Sequence, residues 1–475
     1  MRYLLPEIIV AGGALLGLLA IVGVPKVRGL ASWILLVALL AAGIDAATMW
    51  NVTPSLIVYN SMAIDKYGIA VTELVLLAGI STLLLAWNAE YFGEEFPVLV
   101  ALSVLGMMGL GGATSLIPVF LGIELLSLPL YILAASRHTA EGGEAALKYL
   151  LLGAFSSGIL LFGMALLYGA TSTLIFVAYP GIASHAQVWL LWPGLALVVV
   201  GITFKLAIVP FHMWVPDVYE GSPTPVTNLM AFGTKVGAAI ILLRILAFGF
   251  YGQASAWGLL LGYLAVLTMI VGNLLALPQT NLKRLLGYSG IGHAGFLLIG
   301  IATHNIQGAQ AMMFYLLPYG LAAIAVFAVI RLLEGGPGGE DRGVTLTDLK
   351  GMAYQRPWLA MVLTVGMLSF AGIPLTGGFV GKFFLVQAAL FANRPGFAVG
   401  IVVGTLVGLA AYLRPLQAMF QRDGVSERVR TMRWSAAGVV VVVVAVVGTI
   451  GIGVYPQPLV HIVSQSANFY WLKGG

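Results

Sequence analysis

Apolar residues run through this chain in unbroken blocks, each close to the twenty or so that a helix needs to cross the hydrocarbon of a bilayer. Short polar links separate them. Blocks of this kind fall at 4–22, 30–48, 68–88, 97–112, 116–135, 144–168, 194–214, 224–249, 256–277, 282–302, 307–331, 358–392, 397–420 and 434–455, fourteen candidate spans in all. A membrane barrel would instead show alternating polarity in segments of about ten residues. The widest link, 332–357, opens with Gly335, Gly336, Pro337, Gly338 and Gly339 and then mixes charges, which reads as a solvated loop. The pattern predicts an all-α polytopic membrane protein.

Composition sharpens that reading. Of 475 residues, 60% are hydrophobic and 9% charged, and the mean hydropathy is +1.00. Soluble domains carry roughly 25% charged residues, so a soluble enzyme, a disordered chain and a nucleic-acid binder are excluded. The net charge of +5 changes little, because the 23 Lys and Arg are spread thinly and form no basic stripe. Cysteine is absent, which removes disulfides, thiolate metal sites and cysteine-bound iron–sulfur clusters from this chain. Arg2 and the first apolar run show no small-residue cleavage site, so they read as a first span rather than a signal peptide.

Lys and Arg favour cytoplasmic loops. Loops after odd-numbered spans hold Lys26, Arg28, Arg137, Lys283, Arg284, Arg331, Arg342, Lys350, Arg356, Arg414, Arg422, Arg428, Arg430 and Arg433. The other side holds Arg2, Lys66, Arg244, Arg394 and Lys473. This asymmetry puts the odd loops in the cytoplasm and both termini outside.

The remaining lysines, Lys148, Lys205, Lys235 and Lys382, fall within spans, as does Glu124 in Gly122-Ile123-Glu124-Leu125-Leu126-Ser127. Each charge at a helix centre costs roughly 2.5–3.5 kcal/mol on insertion scales. Groups retained at that cost line hydrated interiors and move ions or protons. The bland alternative is a structural pair of Glu124 with one lysine, but four lysines outnumber one carboxylate. Lys148 follows Glu144 by four residues, so a snorkelling, paired side chain explains it as well as a functional one does. Glu73 reads as interfacial. Among six histidines, His138, His185 and His461 lie in loops or the tail, His304 ends a span and His212 sits at a helix break. His293 is mid-span and reads equally as a buried hydrogen-bond partner or as a proton relay; no paired spacing supports haem ligation.

Two spans carry the same irregularity. Phe204-Lys205-Leu206-Ala207-Ile208-Val209-Pro210 and Phe370-Ala371-Gly372-Ile373-Pro374 through Gly381-Lys382 each set a proline beside a lysine, so both helices should be interrupted. Non-helical backbone at membrane depth survives only where it is buried or lines a cavity. The breaks lie five spans apart. An odd offset means that the two units enter the membrane in opposite directions, as in the inverted repeats of many ion carriers.

At this point the sequence resembles a known family. The stretch from Val209-Pro210-Phe211-His212-Met213-Trp214 through Pro216-Asp217-Val218-Tyr219-Glu220-Gly221-Ser222-Pro223-Thr224-Pro225-Val226 is similar to a signature of the antiporter-like, proton-translocating membrane subunits of respiratory complex I. Glu124-Leu125-Leu126-Ser127-Leu128-Pro129-Leu130-Tyr131 and Lys148-Tyr149-Leu150-Leu151-Leu152-Gly153-Ala154-Phe155-Ser156-Ser157-Gly158 look like its subunit-N branch. The M branch has a glutamate where this chain has Lys382, and a chain ending at Gly475 leaves no room for the long lateral helix of the L branch.

The resemblance implies fourteen helices with two inverted five-helix bundles, spans 4–8 and 9–13. The corresponding units are an N-terminal group at 1–96, a first repeat at 97–250, a second at 251–420 and a last helix with its tail at 421–475. It implies one proton channel, with Glu124 and Lys205 as a coupled pair, Lys235 as a bridging lysine, Lys382 as the terminal lysine and His293 as a possible relay; Lys148 is a further candidate. No cofactor is expected here. FMN, iron–sulfur clusters, NADH and quinone would reside in partner subunits, membrane and peripheral, of a complex in the cell inner membrane, surrounded by lipids. Two other readings stay open: a cation/proton antiporter working without NADH, and a structural subunit whose charges only pack helices.

Overall fold

The computed structural model describes residues 2–24, 29–87, 89, 92–182, 187–334, 343–422, 424–432 and 435–467. Lys26, Arg28, His185, Arg342, Arg433, Lys473 and the glycine-rich run 335–339 lie outside the described residues. In chain order the elements are α1 (Leu5–Gly23), α2 (Leu30–Thr48), β1 (Ser55–Ile57), β2 (Met62–Ile64), α3 (Lys66–Ala86), α4 (Phe96–Gly112), α5 (Leu116–Ala134), α6 (Ala140–Thr171), α7 (Tyr179–Ile182), α8 (Val188–Leu206), α9 (Trp214–Gly221) and α10 (Thr224–Arg244). They continue as α11 (Ala254–Ala276), α12 (Leu282–Ala302), α13 (Ile306–Glu334), α14 (Met352–Gln355), α15 (Pro357–Ala371), α16 (Gly377–Phe391), α17 (Pro395–Met419), α18 (Glu427–Thr431), α19 (Ala436–Val454) and α20 (Gln457–Ser466).

Among the described residues, twelve helices are long and apolar enough to cross a membrane, and Phe96–Gly112, Pro357–Ala371 and Gly377–Phe391 are shorter apolar helices. Fourteen crossings result if α4 is added and α15 and α16 are joined across their break. Helix starts are marked by local chemistry. Asp65, Thr139 and Ser435 accept hydrogen bonds from backbone N–H groups of the first turn, and Pro97, Pro225, Pro357 and Pro395 occupy first-turn positions where no donor is lost.

The antiparallel hairpin β1–β2 has no counterpart in the sequence reading. Its apolar run is far too short to span, and positive φ at Val58, Tyr59 and Asn60 turns the chain back on itself. The Thr114 N–H then donates to Ser61 O, which fastens the hairpin over the end of α4.

Three helices form the centre. All 21 residues of α10 are buried, and α12 and α13 are nearly as enclosed. Around them, α4 packs on α5, α6 on α8, α11 on α12 and α17, and α13 on α15, α16 and α19, while α1 to α3 lean on α4 and α10. With no hydrophobic drive between helices in lipid, close approach relies on small residues. At the α4–α5 crossing a Cβ on Gly106 would stand 2.5 Å from the Leu126 nitrogen and one on Gly122 2.9 Å from the Gly106 oxygen.

Candidate functional site

The first break is built as its prolines predict. Helix α8 ends at Leu206, Ala207 takes a left-handed conformation with φ 63°, and helix resumes at Trp214. Lys205 lies in the last turn of α8, where the partial negative charge of the helix C-terminus favours a cation. Its ammonium donates to the Tyr131 hydroxyl at 3.3 Å and stands 4.8 Å from the centre of the Tyr149 ring. Trp214 closes the cage: its indole N–H donates across the break to Phe204 O at 3.0 Å, and its ring stacks on Tyr149.

Glu124 has a different partner. Its Oε1 accepts a hydrogen bond from the Ser157 hydroxyl on α6, while Lys205 turns to Tyr131. Glu124 also shares the outer stripe of α5, in register with the exposed Ile117, Leu121, Leu128 and Ile132. A half-buried carboxyl thus sits midway along an outward-facing helix surface.

Lys235 reaches the same break from α10. Its Nζ is 3.5 Å from Leu206 O, the last helical carbonyl of α8. The second break repeats this arrangement. Helix α15 ends at Ala371, Gly372 is left-handed, and Lys382, six residues into α16, donates to Phe370 O at 2.7 Å. In this contact Lys382 is like Lys235: each brings a cation from another segment to the carbonyl end of an interrupted helix.

His293 lies between the two breaks. It is 1% exposed, its Nδ1 is 2.6 Å from the Tyr315 hydroxyl, and its Nε2 accepts from or donates to Tyr412 at 3.1 Å, with Ser289 holding Tyr412 in turn. Phe370 packs against its ring at 5.0 Å, and Phe296 lies beneath the Lys382 ammonium at 4.5 Å. On the other side, Gly290 leaves room for Lys235, whose Nζ would be 3.6 Å from a Cβ placed there. Lys205, Lys235, His293 and Lys382 are all buried and follow one another through the centre of the molecule.

Lys148 stands apart from this row. Its side chain is 41% exposed and bridges Glu144 and Asp217, each at 2.7 Å. Asp217 and Glu220 also bind Arg284. These groups line an open cavity of about 740 Å³ together with Arg137, Glu141, Asn281 and Asp348.

Two buried charge clusters differ from the sequence reading, which left their cations in loops. Arg244 and Lys283 are each 0% exposed. Arg244 pairs with Asp65 at 2.9 Å and lies over the Tyr67 ring. Lys283 and Arg137 both face Glu334, at 3.4 and 2.7 Å. Hydropathy windows place these residues at span ends, but neighbouring helices run past them and bury them. The sequence assigns no role to the tyrosines around Lys205 and His293, although Tyr131 and Tyr149 stand in the motifs that carry the resemblance and Tyr315 and Tyr319 share a helix face at i,i+4 spacing.

The family described as NADH:quinone oxidoreductase/Mrp antiporter, TM matches residues 113–408. Proteins named NADH-quinone oxidoreductase subunit N from Gemmatimonas aurantiaca and Trichlorobacter lovleyi are 39% and 38% identical over 98% of this chain, covering 93% and 96% of their own lengths. The chain belongs to this family. Its fold matches a chain of respiratory complex I from Thermus thermophilus with bound aureothin, at 33% identity and TM-score 0.83, over 97% of this chain and all of that one. A chain of the Mrp complex from Dietzia, 22% identical with TM-score 0.88 and covering 99% of both, shares the fold. Every candidate side chain from Glu124 to Lys382 falls inside the residues that the NADH:quinone oxidoreductase/Mrp antiporter family matches, whereas α1 to α3 lie before them.

Proposed function

We propose that this chain is the proton-translocating membrane subunit of an NADH:quinone oxidoreductase, acting through Glu124, Lys205, Lys235, His293 and Lys382, in two inverted five-helix repeats at 97–250 and 251–420. The observation that carries this reading is the row of buried cations and a buried histidine threading both helix breaks. Charges this costly to insert are kept where they carry charge across the membrane. The chain would sit in the inner membrane with both termini on the non-cytoplasmic side, and the redox groups would belong to partner subunits.

The geometry supports the following proton steps. Approach of the Glu124 carboxylate holds a proton on Lys205, and separation releases it. The arrangement described is the separated one, with Glu124 on Ser157 and Lys205 on Tyr131. A released proton passes to Lys235, whose ammonium meets the end of the helix that carries Lys205, and onward past the Tyr315–His293–Tyr412 chain to Lys382. Moving one charge against 100 mV costs about 2.3 kcal/mol, so redox chemistry elsewhere must supply the drive. Because Glu124 lies on an outward face at mid-span, a neighbouring membrane subunit would cover it and set its position.

The test is Glu124→Ala in membranes with assembly verified on a native gel. NADH-dependent quinone reduction and proton uptake into inverted vesicles should fall together, by about tenfold for each 1.4 kcal/mol of coupling lost. If neither changes but a sodium-for-proton exchange disappears, an antiporter acting without NADH replaces this reading.

A further inference from the structure

The open cavity beside Lys148 is walled by residues drawn from 137–148, 217–221, 280–284 and 343–348, all on the side that the lysine and arginine asymmetry assigns to the cytoplasm. Ala145 and Gly221 line it and meet so closely that a Cβ on Gly221 would stand 2.7 Å from the Ala145 Cβ. Tyr149 lies one turn below Ala145 on the same buried face of α6, and Trp214 opens α9 one turn before Asp217. Their rings stack with centres 4.6 Å apart and planes 9° from parallel. Beyond them the Lys205 ammonium is 4.8 Å from the Tyr149 ring centre. One helical turn, filled by a stacked aromatic pair, thus stands between an open cavity and the first lysine of the row. Tyr149 is 0% exposed, yet its hydroxyl has no hydrogen-bond partner among the described residues. The hydroxyls of Tyr131, Tyr315, Tyr319 and Tyr412 all have one. Buried hydroxyls are bonded as a rule, and a phenylalanine would pack the same ring without leaving a polar atom stranded. Long side chains on a helix lean toward its N-terminus, which for α6 is the cavity end. Lys205 has unused donors of its own: an ammonium offers three, and among the described residues only Tyr131 takes one.

We propose that the Tyr149 hydroxyl carries protons from this cavity to Lys205. A hydronium ion on the cavity side gives a proton to the Tyr149 oxygen and becomes water. The hydroxyl's own proton moves, through a further water, to the neutral amine of Lys205. At Tyr149 one O–H bond forms and one breaks, so the residue ends as it began; the amine gains an N–H bond and the charge. The Trp214 ring, stacked on Tyr149 and bonded to Phe204, fills the rest of the layer. A hydroxyl set in such a layer passes a proton and nothing larger, which keeps other cations from the lysine. This role rests on the proposed proton-pumping function, because it supplies the proton that Lys205 is there to hold and release.

Tyr149→Phe separates the hydroxyl from the ring, since it keeps the stack on Trp214 and the face toward Lys205. NADH-driven proton uptake into inverted vesicles should fall about tenfold or more, approaching what a positioned proton-transfer group contributes. The yield of assembled complex and its thermal midpoint should stay at or above the parental values. A tyrosine that only packs predicts parental uptake instead. Tyr149→Cys gives a chain without cysteine a single thiol in the same layer. A small cationic methanethiosulfonate should modify it faster in inverted vesicles, which present the cavity face, than in right-side-out vesicles, as read on this chain isolated by denaturing gel. Parental uptake in Tyr149→Phe, failure of that variant to assemble, or labelling no faster from the cavity face overturns the proposal. Lys205→Ala, measured alongside, tells the two failures apart. Parental pumping there removes the pumping role itself, whereas pumping lost there but kept in Tyr149→Phe removes only Tyr149.

Discussion

Membranes carrying Lys205→Ala should hold a fully assembled complex whose NADH-driven proton uptake has fallen about a hundredfold or more, the lower end of what a positioned proton-transfer group contributes. Assembly should survive because, among the described residues, Lys205 pairs with no carboxylate; its removal leaves Tyr131 with one weak hydrogen bond fewer and Trp214 still bonded to Phe204. Lys235 cannot substitute, since its ammonium approaches Leu206 O from α10 and does not enter the Tyr131–Tyr149 cage. Inverted vesicles with a pH-sensitive dye, matched by native gel, provide the measurement. Pumping at the parental rate in an assembled Lys205→Ala complex would remove this residue, and with it the proposed axis, from the mechanism.

Arg244→Met should act the other way, on assembly first. Removing one member of a buried pair strands the other and costs about 3–5 kcal/mol, and here Asp65 would be stranded, 4% exposed and already capping the first turn of α3. The yield of intact complex and its thermal midpoint should both drop. Arg244→Met combined with Asp65→Asn should recover most of the loss, because asparagine still accepts from the Gly68 N–H and leaves no charge behind. If the double variant is no better than the single one, the pair is not what holds α3 to α10.

Much of the fold is legible in the sequence because lipid imposes one rule on every span, that twenty apolar residues must satisfy their own backbone. Pro210 and Pro374 announce the breaks for the same reason. What was not legible is rotation about each helix axis. Helix α5 is apolar on all sides, so nothing in its pattern says that Glu124 turns outward to Ser157 rather than inward to Lys205. Rotation also hides the tyrosines: Tyr131, Tyr149, Tyr315 and Tyr412 read as ordinary apolar filler until neighbouring helices bring their hydroxyls to Lys205 and His293. Arg244 and Lys283 were misplaced through depth, since a loop assignment from hydropathy cannot see the helices that extend beyond a span end. The repeat showed as two proline–lysine pairs, with Lys205 before its break and Lys382 after its own; that Lys235 and Lys382 each meet the carbonyl end of a broken helix is visible only in the positions of Leu206 O and Phe370 O.

The first break also bears on time. Prolines beside a charge invite the idea of a hinge, but this one is braced: Trp214 is bonded to Phe204 and stacked on Tyr149, and the Val209 N–H is held by Thr268 on α11. A joint held from three directions resists the collective helix motions that run on microseconds to milliseconds. Rearrangement beside Lys205 is left to side-chain rotations within a buried cage and to water. A proton would then pass this point within a fixed frame, and the large movements of the cycle would fall to other parts of the chain or to its partners.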